Sequence, residues 1–232
     1  MIAGTTDFRR DQSPEHHASG DWNSRASGDW NSRASGDWNS RASGDWNSRA
    51  SGALSRTMAV FFTSDTHFGH AGALSRFRRP FASVAEMDEA MVANWNATVG
   101  PDDEIWHLGD FALRMGPESM ASLLDRLNGT KHLITGNNDG PATLRLPGWA
   151  SVQAYTEMVL HETRLVMCHY AFRTWNAMYK GALNLHGHSH GQLKGMPRQF
   201  DVGVDVWKFR PVTLPEIIAS RQRKKRDQDL AL

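Results

Sequence analysis

Phe61-Phe62-Thr63-Ser64-Asp65-Thr66-His67-Phe68-Gly69-His70 is the stretch on which the fold turns. Ala59 to Ser64 predicts a short buried strand, because the run is apolar, aromatic-rich and too short for a helix. One carboxylate and two imidazoles then fall within the next six residues. The arrangement recurs downstream. Glu104 to Leu108 reads as a strand and leads into Gly109-Asp110, and Lys131 to Thr135 leads into Gly136-Asn137-Asn138-Asp139. Asn184 to Gly187 runs into His188-Ser189-His190. His169 closes a strand from Arg164, the second arm of a hairpin whose first arm is Val152 to Val159 and whose turn is His161-Glu162-Thr163. Open α/β sheets hold ligands at the carboxyl ends of their strands, where each of these clusters falls.

Helical signals lie between the strands. Ser83-Val84-Ala85-Glu86 is a capping box opening a helix with Val84, Met87, Met91 and Trp95 on one face, and Gly100-Pro101 stops it. Pro117 and Glu118 open a second helix with Met120, Leu123, Leu124 and Leu127 on one face, closed by Asn128-Gly129. Asp201 to Trp207 reads as a further strand, and Thr213-Leu214-Pro215-Glu216 caps a final helix. Mixed β-α-β units and a hairpin predict sheets covered by helices.

Taken singly, an Asp-x-His or a Gly-Asp is a turn or a satisfied polar group. Together the clusters offer carboxylate, imidazole and amide oxygen without a thiolate, a set that can hold two divalent cations sharing one carboxylate. The lone cysteine, Cys168, excludes an internal disulfide and a zinc ribbon, suits a reducing compartment, and reads as a small core residue pointing away from the clusters.

The 232 residues are 40% hydrophobic and 22% charged with a formal net charge of +1, which gives no overall signal for a polyanionic partner. No apolar run approaches membrane-spanning length and the start lacks a signal peptide's apolar stretch, so a cytoplasmic protein with no membrane partner is expected. The averages combine two different materials. From Ala18 the octapeptide Ala-Ser-Gly-Asp-Trp-Asn-Ser-Arg runs four times unchanged, and a decayed copy ends at Arg56. Each unit sets one aspartate and one arginine around a single bulky apolar residue, so residues 1–57 are expected to be a disordered leader with no specific role. Met58, directly after it, is the expected natural translation start, which the intact mass of the native protein checks. Nine of the eleven histidines lie beyond it, which places the chemistry in residues 58–220. Residues 221–232 form a basic tail that complements the negative end of the last helix and lacks the interleaved aromatics of a nucleic-acid site.

The five clusters, in this order and spacing, resemble those of the calcineurin-like metallophosphoesterase superfamily, and Phe61 to His70 is similar to its small bacterial phosphohydrolases. The likeness covers nearly all of residues 58–218 and none of the repeat. It implies an α/β fold, a four-layer α-β-β-α sandwich, with a dinuclear centre in the loops at one edge. It further implies Asp65, His67 and His190 as ligands of one metal ion, Asn137, His169 and His188 as ligands of the other, and Asp110 as the bridge. The ions would be Mn2+, Fe2+ or Fe3+, Zn2+ or Ni2+. The implied reaction is hydrolysis of a phosphate ester by a metal-bridged hydroxide. Two cations about 3.5–4 Å apart repel, so a carboxylate between them is physically required.

One departure matters. The superfamily carries a histidine in its third block where this chain has Asn138, and the resemblance marks Asn138 and the adjacent Asp139 as candidate catalytic residues. An amide donates a hydrogen bond but cannot deliver a proton, and general acid catalysis is worth about 10²–10⁴-fold. His70 and His186 are the candidate substitutes, and a preference for diesters or activated esters is the expected consequence. Arg173 is a candidate for holding a phosphate oxygen, with Trp175 beside it as pocket wall or packing. Arg76, Arg78 and Arg79 can attract an anion. His107, His132 and His161 read as structural or surface residues. The alternatives are a nuclease or cyclic-nucleotide phosphodiesterase on the same centre, with nucleic acid only as substrate, or a catalytically weak metal-binding scaffold.

Overall fold

The computed structural model describes residues 57–229, with side chains through Arg221. The repeat leader and the side chains of the basic tail beyond Arg221 lie outside the described residues. In chain order the elements are β1 (Val60–Thr63), α1 (Ala71–Arg76), α2 (Val84–Thr98), β2 (Glu104–His107), α3 (Pro117–Asp125), β3 (Thr130–Ile134), α4 (Pro141–Leu144) and β4 (Trp149–Gln153). They continue with β5 (Tyr155–Leu160), β6 (Thr163–Cys168), a single 3-10 turn (Met178–Lys180), β7 (Leu183–His186), β8 (Gln199–Asp201), β9 (Val212–Thr213) and α5 (Leu214–Asp229).

Two sheets form. The first has the order β4-β3-β2-β1-β9 with only β9 antiparallel, and the second has the order β5-β6-β7-β8 with only the β5/β6 hairpin antiparallel. The hairpin turns at His161 and Glu162, both left-handed, as a tight two-residue connection demands. Ser83 opens α2 as its composition predicts: its side chain accepts the Glu86 N–H at 3.1 Å, and the Glu86 carboxylate reaches back to the Ala82 N–H at 2.8 Å. Met87, Met91 and Trp95 of that helix pack with Met120, Leu123 and Leu124 of α3 on the outer face of the first sheet. Each such burial contributes about 1.5–3 kcal/mol. A second cluster fills the space between the sheets, where Phe62 and Leu108 meet Leu165, Met167 and Leu185, closed by Leu214 and Ile217 of α5.

The layered α/β architecture is borne out, with a thin fourth layer. The outer face of the second sheet carries Val166 under Trp175 and Ala182, and the 3-10 turn with its flanking segment covers it where a helix was expected. Two strands need correction. Val152 to Val159 is not one strand, because the chain leaves the first sheet after Gln153 and enters the second at Tyr155. The inward phase changes there: Trp149 is buried in the first sheet, whereas Met158 and Leu160 face the inter-sheet core. Asp201 to Trp207 is likewise shorter, β8 ending at Asp201. Past it, the Val202 N–H pairs with His186 O and the Val204 N–H with Ser64 O, so this segment straps one sheet to the other. Cys168 is half-buried, not core.

Candidate metal centre

The loops after β1, β2, β3, β6 and β7 meet at one edge because these strands run alike within their sheets. Backbone bonds tie them together: Asp65 N–H to Gly109 O at 2.9 Å, His67 N–H to Asp110 O at 3.0 Å, and Gly187 N–H to His169 O at 3.0 Å. Two glycines permit the approach. A Cβ at Gly109, whose φ is +95°, would stand 2.6 Å from both Gly136 N and His169 Nδ1. One at Gly187 would fall on the Ser64 side chain and the Asp65 carboxylate. Asp65, His67, Asp110, His188 and His190 all sit in left-handed backbone, with φ between 47° and 64°. That conformation costs a non-glycine residue on the order of 1 kcal/mol, so the packed sheets and not local preference hold these loops.

Two groups of potential ligands result. Asp65, His67 and His190 present donor atoms within 4.8 Å of one another, and Asp110, His169 and His188 do the same. Asp110 Oδ2 lies between the groups, 3.6 Å from His67 Nε2 and 3.6 Å from His169 Nε2. Asn137 Oδ1 is 3.1 Å from His169 Nε2. The tautomers follow from outer contacts. His169 donates from Nδ1 to Leu108 O at 2.7 Å and His190 from Nδ1 to Asp205 Oδ2 at 2.7 Å, which turns each Nε2 inward. Both ring nitrogens of His67 are buried without a hydrogen-bond partner among the described residues. Burial, then the positive charge of Arg79, lowers His67 to about 2, so the ring is neutral and able to ligate. Burial, then the neighbouring Asp201, holds the Asp65 carboxyl well above its usual range. Orphaned imidazole nitrogens beside two buried carboxylates are what a divalent cation would satisfy.

The remaining expected residues divide. Asn138 donates its N–H to Asp110 Oδ1 at 2.8 Å and its Nδ2 to Oδ2 at 2.6 Å, so it grips the central carboxylate. Asp139 faces backbone, accepting the N–H of Asp110 at 2.8 Å, of Phe111 at 3.0 Å and of Gly136 at 2.8 Å. His70, with Arg76, Phe77 and Leu113, lines an open cleft of about 630 Å3 over the metal groups. Burial, then Arg114, Arg79 and Arg76, lowers the His70 pKa. His186 does not reach that cleft: it is buried, with Nδ1 on Gly187 O at 2.9 Å. Arg173 is exposed and away from the cleft, and Trp175 is buried with Nε1 on Ala182 O. His107 is fully buried, donating from Nε2 to Thr66 Oγ1 and accepting the Gly109 N–H on Nδ1, a structural role. Arg79 is no surface attractor, being buried in a pair with Asp205.

Composition and motif reading missed Asp201 and Asp205. Asp201 Oδ2 accepts Ser189 Oγ at 2.6 Å and the Gly191 N–H at 2.8 Å, bracing the His188-Ser189-His190 turn. The available signal was two carboxylates in an otherwise apolar run, Asp201-Val-Gly-Val-Asp205.

The sequence model of the calcineurin-like phosphoesterase superfamily domain matches residues 58–199. An uncharacterized protein of Methanocaldococcus jannaschii is 26% identical over 174 residues, covering 72% of this chain and 93% of that protein. The gene 66 protein of Mycobacterium phage D29 is 31% identical over 182 residues, covering 64% of this chain and 88% of its own length. Among solved structures, a protein of unknown function from Aquifex aeolicus aligns with a TM-score of 0.58 and 21% identity, covering 69% of this chain and 97% of that one, a likeness of fold.

Proposed function

Since the chain belongs to the calcineurin-like phosphoesterase superfamily and is a hydrolase of phosphate esters, we propose that it works with two divalent ions, Asp65, His67 and His190 holding one, Asn137, His169 and His188 the other, and Asp110 joining them. The observation that carries this reading is the position of Asp110 Oδ2, 3.6 Å from an inward Nε2 of each group. Ions bound there supply Lewis acidity, bringing the pKa of a water into the neutral range and offsetting charge on the phosphoryl oxygens. The donors are nitrogen and oxygen, which suits Mn2+, Fe2+ or Fe3+, Zn2+ or Ni2+.

The chain's own residues shape substrate choice. Asn138, beside Asp110 in the cleft, can donate a hydrogen bond to an ester oxygen and has no proton to give. His70 is the imidazole left to serve the leaving group, and burial with three nearby arginines favours its neutral form. Little acid assistance at neutral pH favours activated esters, whose leaving groups depart as stable anions, and diesters, whose tighter transition state leaves less charge on the departing oxygen. Arg76 adds positive charge to the cleft. The catalytic domain is assigned to residues 58–220, with the leader outside it. No described helix is long and apolar enough to cross a membrane, and with a single cysteine we assign the protein to the cytoplasm.

A screen of the metal-reconstituted full chain against aryl monoesters, aryl diesters, cyclic nucleotides and single-stranded DNA tests this. Diester turnover exceeding monoester turnover at equal leaving group supports it, and a monoester preference overturns the specificity. Selective cleavage of DNA or of cyclic nucleotides would instead establish a nuclease or a cyclic-nucleotide phosphodiesterase. Bound metal without turnover on any substrate would leave a scaffold.

A further inference from the structure

We propose that Arg79 and Asp205 are positioning residues for one of the two metal sites only, fixing the ring of His190 and the backbone of Asp65 so that the ion on that side binds tightly. The inference rests on the two-ion reading above. Arg79 comes from the loop after α1 and Asp205 from the strap after β8, 126 positions apart, and the Arg79 side chain is fully buried. Its guanidinium grips both carboxylate oxygens of Asp205, Nε to Oδ1 at 2.9 Å and Nη2 to Oδ2 at 2.9 Å. The same guanidinium donates to the carbonyl of Asp65 at 2.6 Å and of Thr66 at 2.7 Å. A planar fork with every donor engaged admits one geometry, so the carboxylate and the first ligand loop move as one body.

Asp205 passes that constraint to His190. Its Oδ2 takes Nδ1 at 2.7 Å, which selects the tautomer leaving Nε2 bare and points it at Asp65, 3.8 Å from Oδ1. Phe77 stacks on the imidazole with centroids 3.4 Å apart and planes within 12°. Tautomer, direction and plane of the ring are all set before a metal arrives. Among the described residues the other group has no carboxylate counterpart. His169 leans on a backbone carbonyl, Asn137 and His188 are exposed, and the rings near His188 are the edges of His169 and Tyr170. Carboxylate support behind a ligating histidine is worth about 10- to 100-fold in metal affinity, and here it is given to one site.

The test is Asp205→Asn, which keeps the volume and one acceptor while removing the charge. Chelator-stripped full-length wild type and variant are titrated with Co2+, reading the visible absorption and the bound metal per chain, and the histidine 15N shifts are recorded. A wild type that binds two ions while the variant binds one of them about 10- to 100-fold more weakly, with the other unchanged and the His190 tautomer signature altered, is the expected result. Both affinities unchanged overturns the inference, as does equal weakening of both with a lower unfolding midpoint of the apo form, which marks a merely structural pair. If Asp205→Asn does not fold, Arg79→Lys, which keeps a charge beside Asp205 while giving up the two-oxygen grip, must reproduce the one-sided loss or the inference fails. A wild type that binds fewer than two ions refutes the two-ion reading itself, and is distinguishable because it appears before any substitution is made.

Discussion

Asp139→Ala removes a carboxylate that touches no reacting group and yet holds three backbone N–H groups across two loops. Its Oδ2 accepts the N–H of Asp110 and of Gly136, each at 2.8 Å, and its Oδ1 accepts the N–H of Phe111 at 3.0 Å. A hydrogen bond to a charged group is worth about 1.5–3 kcal/mol, and a donor left without a partner costs about 1–3 kcal/mol. Asp139 is partly exposed, so water can reach some of the freed donors, and the combined loss is about 3–5 kcal/mol. Asp139→Asn supplies a grading. Its single carbonyl can face the Asp110 and Gly136 N–H groups, but its amide nitrogen then opposes the Phe111 N–H, so that variant loses about 1–2 kcal/mol. Urea unfolding of the metal-stripped proteins, followed by tryptophan fluorescence and extrapolated linearly, reads both values. Because Asp110 moves with these loops, metal affinity of Asp139→Ala is expected to fall about 10-fold as well. An Asp139→Ala loss below about 1 kcal/mol, or an Asn variant as unstable as the Ala variant, would refute the bond-by-bond account.

Asn138→His restores a proton carrier beside Asp110, and kcat on an alkyl monoester is expected to rise about 10-fold or more while activated diesters change little; steady-state rates on both classes check it. The pH dependence of stability follows from His107. Burial, then the charge of His169, lowers it to about 3 from the ordinary 6.5, so the folded state is neutral where the unfolded chain takes up a proton. Its contribution is therefore complete above pH 6.5 and is lost as pH falls toward 3. In His107→Gln the slope of unfolding free energy against pH near pH 5 should drop by about 1.4 kcal/mol per unit, and an unchanged slope means His107 is already charged in the fold. Arg76 lines the cleft and Arg173 does not, so Arg76→Ala should raise KM several-fold and Arg173→Ala should leave kcat/KM within about twofold.

Much of this was legible because a parallel sheet repeats one rule: each strand delivers its polar cluster to the same edge. Asp65, Asp110, Asn137, His169 and His188 stand after β1, β2, β3, β6 and β7 as that rule requires. Local signals also held, since Ser83 and Glu86 cap α2 and Thr213 with Glu216 opens α5, Glu216 Oε2 accepting the Thr213 N–H at 2.9 Å. What escaped was whatever depends on distant partners. Arg79 reads as one of three exposed basic residues until Asp205 is brought to it by the strap between the sheets. The break at Ala154 carries no glycine or proline, and a change of inward phase within a continuous run marks it only after both sheets are known. His186 sits inside a ligand-bearing block but on the strand itself, where its side chain is buried instead of meeting the cleft.

Two metal sites sharing Asp110 are proposed to drive ester hydrolysis. The most direct measurement is bound metal per chain, by elemental analysis during stepwise Mn2+ addition to stripped protein, alongside turnover of a bis-aryl phosphate in the same samples. Saturation at two ions, with turnover rising as the second ion binds and abolished by chelation, is the expected result. Saturation at one ion, or turnover undiminished in chelator, would contradict it.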